Sequence, residues 1–276
     1  MMIANVIATA LTLTAAIVVA GQVKESAEPA TAPPKLLVLV YQKFSFDKAA
    51  DRDPWEIAMA RACQKLEVPN SWIVMESITG EPVVLSFDPF DSFKQTERPI
   101  AEWGTIYAIH PELGRLQAQI NAALVSQRTV IAVRRDDLSY RANRIDLSKA
   151  RFMRVLEVRL HPGHENEFAE AFQKLSAAYE KIESDLPWVV YQVNLGMPSP
   201  TFLTFVPMKA VGQNDDLLNI RERLHAAEGE AAERMQQIAR ETYASTESNL
   251  YSIKPEKSRV SKEFAAGDPG FWTPTK

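Results

Sequence analysis

Cysteine, glycine and excess charge are all scarce in this 276-residue chain, and each scarcity removes a class of protein. The single cysteine, Cys63, cannot make an intramolecular disulfide, so no disulfide scaffold is available. Lys plus Arg number 31 against 35 Asp plus Glu, which leaves no basic footprint for nucleic acid. Ten glycines among 276 residues exclude collagen-like architecture. Catalytic signatures are missing too. No G-x-S-x-G, Walker loop, H-E-x-x-H or G-x-G-x-x-G fingerprint occurs, so hydrolase, kinase, zinc-protease and nicotinamide readings have no support. No metal site and no cofactor is expected.

One long apolar run is present, at residues 3–20, inside a start (1–23) without charged side chains. Residues 1–20 read as a secretory signal peptide, because Val18-Val19-Ala20 precedes a plausible cleavage point. The mature protein is then periplasmic or secreted and meets no membrane. The competing reading is an uncleaved anchor, since about 20 apolar residues span a bilayer. Asn5, Thr9, Thr12 and Thr14 weigh against that span. Residues 21–34 carry three prolines and one large apolar residue, Val23, and read as a disordered linker.

The rest of the chain repeats itself. Trp72-Ile73-Val74-Met75-Glu76, running to Gly80-Glu81-Pro82, matches Trp188-Val189-Val190-Tyr191-Gln192, running to Gly196-Met197-Pro198. Leu85-Ser86-Phe87-Asp88-Pro89 then answers Leu203-Thr204-Phe205-Val206-Pro207. Each copy reads as a β-hairpin with a Gly/Pro turn. A period of about 116 residues is too long for a solenoid unit and points to duplicated domains.

Each hairpin has the same surroundings. A strand at 36–44 precedes a helix opened by Asp53-Pro54, with Trp55, Met59, Ala62 and Leu66 on its apolar stripe. A strand at 152–160 precedes a helix from about Glu165, with Phe168, Phe172, Leu175, Tyr179 and Ile182 at helical spacing. More helix follows each hairpin. In the first copy it covers roughly 97–125, interrupted at His110-Pro111. In the second it covers roughly 215–243, with Leu217, Ile220, Leu224, Met235 and Ile238 inward. Short strands at 129–134 and 249–253 close the copies. The order is βαββαβ twice, so the expected fold class is α+β: two tandem ferredoxin-like units with antiparallel sheets. The first unit is placed at 35–147 and the second at 148–254, followed by an extended tail at 255–276.

Strand alternation divides each sheet into two faces. An apolar face of Val38, Val40, Ile73, Met75, Leu85, Phe87, Ile131 and Val133, with its counterparts in the second copy, is expected to pack on the helices. The other face is mixed and carries Tyr41, Lys43, Trp72, Glu76, Ser86 and Asp88. In the second copy it carries Glu157, Arg159, Trp188, Gln192, Asn194, Thr204 and Ser252. Two tryptophans at equivalent positions imply that the mixed faces cover each other, sheet on sheet, around a partly polar cavity.

In this arrangement the chain resembles the dimeric α/β-barrel superfamily, with its antibiotic-biosynthesis-monooxygenase and NIPSNAP-like branches. The likeness is carried by the strand, turn and helix start Val158-Arg159-Leu160-His161-Pro162-Gly163-His164-Glu165-Asn166-Glu167-Phe168. The tail fragments Lys262-Glu263-Phe264-Ala265-Ala266 and Asp268-Pro269-Gly270-Phe271-Trp272 resemble those of uncharacterised exported bacterial proteins. The resemblance implies sheets packed face to face as a barrel, and a small-molecule cavity. Its members include cofactor-free oxygenases, haem-binding proteins and proteins without known activity.

The candidate ligand-binding residues are therefore Tyr41, Trp72, Glu76, Glu157, Trp188, Gln192, Asn194 and Thr204. The tryptophans would stack on a planar apolar or aromatic molecule, and the polar side chains would orient it. In the oxygenase alternative, Glu76 or Glu157 serves as base. In a purely structural alternative, Glu76 pairs with Lys43, Glu157 pairs with an arginine, and the barrel is filled. Cys63, beside the core stripe, reads as a buried inert thiol. His161, His164, His110 and His225 match no ligand set. A homo-oligomer is compatible with the pattern, and no partner is specified by it.

Overall fold

The computed structural model describes residues 28–227 and 229–273. The expected signal peptide and the first part of the expected linker lie outside the described residues. Residues 28–34 lie against the body: Glu28 pairs with Arg134 at 2.7 Å, and the Tyr191 hydroxyl donates to the Pro34 carbonyl at 2.8 Å.

The first half runs β1 (Leu36–Phe44), α1 (Ala49–Lys65), β2 (Ile73–Ser77), β3 (Val84–Phe90), α2 (Phe93–Ile109), α3 (Pro111–Asn121) and β4 (Leu124–Arg134). The second runs β5 (Phe152–Leu160), α4 (Glu165–Lys181), β6 (Val189–Leu195), β7 (Thr201–Met208), α5 (Gln213–Ala227), α6 (Gly229–Thr242) and β8 (Tyr243–Ile253). All eight strands form one closed antiparallel barrel in the order β1-β3-β2-β8-β5-β7-β6-β4. Pairing of β2 with β8 and of β4 with β6 joins the two halves edge to edge, which leaves no free strand edge in the barrel.

The repeated glycines belong to these seams. Gly80 (φ +76°) and Gly196 (φ +94°) follow β2 and β6 in the left-handed region. A Cβ on Gly196 would lie 2.1 Å from the Thr129 carbonyl oxygen of β4, and one on Gly80 would lie 2.3 Å from Asn249 Oδ1 of β8. At Gly196 only glycine allows both the turn and the backbone approach of the neighbouring half, while at Gly80 it is the positive φ that favours glycine.

Closure inverts part of the expected assignment of faces. The register pairs Val38 with Asp88, Val40 with Ser86 and Leu39 with Phe87. Leu37, Leu39, Ile73, Met75, Leu85 and Phe87 therefore point into the barrel, together with Val130, Met153, Val155, Tyr191, Leu203, Phe205 and Tyr251. Val38, Val40, Trp72, Ser86 and Asp88 face the helices instead. The reason is dielectric. Once the sheet closes, its inner face is sealed on every side, so that face collects the most apolar residues. The face under the helices keeps the mixed pattern. The expected interdomain barrel cavity is accordingly occupied by side chains, several of them, such as Leu39, Met75, Leu85 and Leu203, wholly buried.

One barrel end is stoppered by the connection between the halves and by the C-terminal segment. Ile145, Leu147 and Ala150 pack there with Phe264, Ala265 and Trp272. The tail, expected to be extended, forms helical turns instead, including α7 (Lys262–Ala266) and α8 (Pro269–Trp272). Trp272 Nε1 donates to the Ser148 carbonyl at 2.8 Å, and the Arg151 guanidinium lies over the Phe271 ring at 3.8 Å.

Helix boundaries also move. α1 begins at Ala49, one turn before Asp53-Pro54, so Pro54 lies inside the helix. Asp53 does not cap it; its carboxylate accepts from Lys257 and Arg52. The break at His110-Pro111 occurs where the proline demands it. Leu217, Ile220, Leu224 and Ile238 are inward as expected, whereas the Met235 side chain lies outside the described residues.

Candidate functional site

The mixed face of the first half does not bare itself to water. Helices α1, α2 and α3 stand off from it and flank a half-open cavity of about 480 Å³. Val38, Val40, Val74 and Ile131 form its sheet floor, and Met59 and Ile120 close it from the helices. Three aromatic rings make one wall. The centroids of Trp72 and Trp103 are 6.4 Å apart, and those of Trp103 and Tyr107 are 5.2 Å apart. Trp72 is held by its Nε1, which donates to the Lys257 carbonyl at 2.9 Å, and by a bridge to Arg259. Gln117 sits 3.4 Å from the Tyr107 hydroxyl.

Asp88 is the chemically distinctive residue of this cavity. Its half-buried carboxyl points from β3 toward the helices and has no hydrogen-bond or ion-pair partner among the described residues. Burial raises its pKa to about 7, well above the ordinary aspartate value. A carboxyl in this condition exchanges its proton near neutral pH, which suits a general base.

A second polar element borders the cavity. Lys257, only 3% exposed, donates to Asp53 at 2.6 Å and to Glu76, and lies 3.0 Å from Glu56. Arg52, also buried, reaches Glu76 at 2.8 Å. It lies 3.1 Å from Glu56, a contact whose angle misses hydrogen-bond geometry. Burial alone would raise the Glu76 pKa, but the bond and charge of Lys257 hold it below the usual range. Glu56 goes the other way: burial raises it despite Lys257 and Arg52. Asp53, Glu56 and Glu76 converge as metal-ligand carboxylates do. The Lys257 ammonium already stands among them, so the group is an ion-pair cluster.

The eight residues expected to share one cavity are distributed over four places. Trp72 and Glu76 belong to the first cavity and its border. Tyr41 and Glu157 point into the barrel, at the end away from the stopper, near Arg128 and Glu247. The Tyr41 hydroxyl is buried without a partner, and burial raises its pKa. Burial and then the facing Glu247 raise Glu157. Trp188 and Thr204 line a smaller cavity under the helices of the second half. Gln192 accepts from Arg135 at 2.6 Å on the outside of β6, and Asn194 is exposed. The expected pair of Glu76 with Lys43 is not formed; Lys43 pairs with Glu81.

Sequence reasoning noted Asp88 on the mixed face but did not select it, and it passed over Trp103, Tyr107, Glu56 and Lys257. The signal for Asp88 was available: the repeat places Val206 at its equivalent position, so a carboxyl stands where the duplicate has a hydrocarbon. Cys63 is wholly buried and its pKa is raised by burial to about 11, as an inert thiol requires.

No family model matches the sequence, and no curated protein matches it. Solved structures do match. A crystal structure of an anthrone oxidase-like protein superposes with a TM-score of 0.52 at 12% identity, covering 82% of this chain and 93% of that one. A protein of Fusobacterium nucleatum subsp. nucleatum, provisionally assigned as a monooxygenase, gives a TM-score of 0.52 at 11% identity, covering 83% and 95%. At these identities the likeness is one of fold. This chain has the α+β-barrel fold of those proteins and closes the whole barrel from a single polypeptide.

Proposed function

We propose that the protein binds a small aromatic molecule in the cavity between the sheet and the helices of its first half. The observation that carries this reading is a space of about 480 Å³ with a Trp72–Trp103–Tyr107 wall and one unpaired carboxyl, Asp88, beside the ion-paired Glu56. Apolar walls with few polar anchors are the general make-up of small-molecule sites. Tryptophan quenching by 1-naphthol tests the proposal. Saturable quenching is expected in the wild type and its loss in Trp103→Ala; quenching that survives unchanged removes the reading.

A second reading, oxygenation without a cofactor, is favoured by Asp88 itself. Its carboxylate would take a proton from an acidic C–H or O–H of a reduced phenol, and the resulting anion would give electrons to dioxygen. For a ring CH2 the balance is CH2 + O2 → C=O + H2O. The two solved relatives of the fold, one anthrone oxidase-like and one assigned provisionally as a monooxygenase, make anthrone a sensible probe. Oxygen uptake with anthrone, falling at least 100-fold in Asp88→Asn, is the expected result. Uptake equal in the two proteins would leave binding as the function.

The repeated strand order β4-β1-β3-β2 and β8-β5-β7-β6 supports reading the halves as tandem ferredoxin-like units. We also keep the proposal that the chain is exported, on the apolar start at residues 3–20. Intact mass of protein from its own host tests it: loss of residues 1–20 is expected, and a full-length chain contradicts it.

A further inference from the structure

The duplication yields a second cavity, and its chemistry differs from the first. It lies under α4 and α5 on the outer face of the second half and measures about 320 Å³. Its walls stand at positions equivalent to those of the first cavity, 116 residues later up to the hairpin turn and 118 beyond it. Trp188 replaces Trp72, Phe172 replaces Glu56, and Leu156 replaces Val40. Thr204 replaces Ser86, Val206 replaces Asp88, and Arg154 replaces Val38.

The exchange reverses the charge of the site. Both carboxyls of the first cavity, Glu56 and Asp88, have become hydrocarbons, while the floor has gained a cation. Arg154 is half-buried, and its Nε donates to Ser248 Oγ at 3.0 Å. It has no carboxylate partner among the described residues, unlike Arg134, Arg135, Arg141 and Arg151. A guanidinium whose neighbours supply no counter-ion, at the edge of an apolar space, is complementary to a ligand carboxylate.

We infer that this second cavity binds a monocarboxylate with an aliphatic body, the carboxylate on Arg154 and the hydrocarbon against Leu156, Phe172 and Trp188. Thr204, 6% exposed, and Tyr179 also bring hydroxyls to the cavity wall, and the Thr204 hydroxyl hydrogen-bonds to no described residue. The site is separate from the one proposed for the aromatic molecule, and neither reading depends on the other.

Isothermal titration of the whole protein with decanoate below its micellar concentration tests the inference, with 1-decanol as the neutral control. Decanoate is expected to bind at one site, and Arg154→Gln to weaken it roughly tenfold while leaving decanol unaffected. Asp88→Asn, in the other cavity, should leave decanoate affinity unchanged. Val206→Asp, which restores the acidic pattern of the first copy, should abolish decanoate binding. If Val206→Asp does not fold, Arg154→Gln still decides. No decanoate binding, or equal affinity of wild type and Arg154→Gln, overturns the inference. Loss of decanoate binding in Asp88→Asn would relocate it to the first cavity and overturn the inference as well.

Discussion

Asp88 shows how much a single position can carry and how little of that is visible locally. Its strand, Leu85-Ser86-Phe87-Asp88-Pro89, gives alternation but not the side on which the aspartate falls. Register with β1 decides, because Asp88 pairs with Val38 and follows it under the helices. A stability signature results. The unfolded chain releases this proton near the ordinary aspartate value, 3.8, and the folded chain holds it to about 7. Between those values the folded state binds more protons, so stability falls as pH rises from about 4 to 7 and is then flat for this group. Urea unfolding of the wild type at pH 5 and pH 8 should show a loss on the order of 2–4 kcal/mol attributable to Asp88. In Asp88→Asn that part of the slope should vanish; parallel profiles for the two proteins would mean that the helices do not desolvate Asp88. Glu157 was legible as an inward carboxyl on strand phase alone. Trp72 and Trp188 were legible as buried and equivalent, but not as separated by the sheet wall.

Among the elements, the hairpins and the core helices α3 and α4 follow directly from sequence period and turn chemistry. The closing strands were read too short. Residues 125–129 of β4 and 244–248 of β8 are exposed and carry no apolar alternation. They are strands because β1 and β5 are long enough to pair with them, and a neighbour's length leaves no mark on the segment itself. The C-terminal segment was legible as a tail beyond the last strand, but neither the docking of Phe271-Trp272 nor its second attachment was. Lys257 crosses to three carboxylates on α1 and β2, and the backbone beside it holds the Trp72 indole. Removing the ammonium leaves Arg52 and Lys254 to balance Asp53, Glu56 and Glu76, so Lys257→Met should cost on the order of 3 kcal/mol. Because Lys257 depresses the folded-state pKa of Glu76, that contribution is complete above the ordinary glutamate range and declines as pH falls through it. Chemical unfolding at pH 7 and pH 3 should therefore show a smaller difference between wild type and Lys257→Met at pH 3. Adding Glu76→Gln to Lys257→Met should recover part of the stability at pH 7. A loss independent of pH and unrelieved by Glu76→Gln would assign Lys257 to packing alone.

At the scale of the molecule, the repeated element order was legible from two tryptophans, two glycines and two prolines at matching offsets. The barrel followed from the need to cover both sheets. What the sequence did not give away was which face turns inward, because both faces of a βαββαβ sheet are covered here, one by helices and one by the opposite half. Closure puts the purely apolar set on the axis, fills it, and moves both cavities outward under the helices. The stopper built from residues 145–150 and the tail completes the seal at one end. Trp272→Ala, which empties the centre of that stopper, should lower stability by about 3–5 kcal/mol in urea unfolding. A change under 1 kcal/mol would show that the tail rests on the barrel without closing it.

The central claim is that the ligand space lies between sheet and helices and not on the barrel axis. Ser86→Leu tests it most directly, since Ser86 faces the first cavity from the sheet while its neighbours Leu85 and Phe87 face the axis. The leucine should occupy the cavity and leave the barrel unchanged, as circular dichroism would confirm. The account predicts that Ser86→Leu abolishes saturable tryptophan quenching by 1-naphthol. Undiminished quenching in a folded Ser86→Leu protein would contradict it and return the ligand to the barrel.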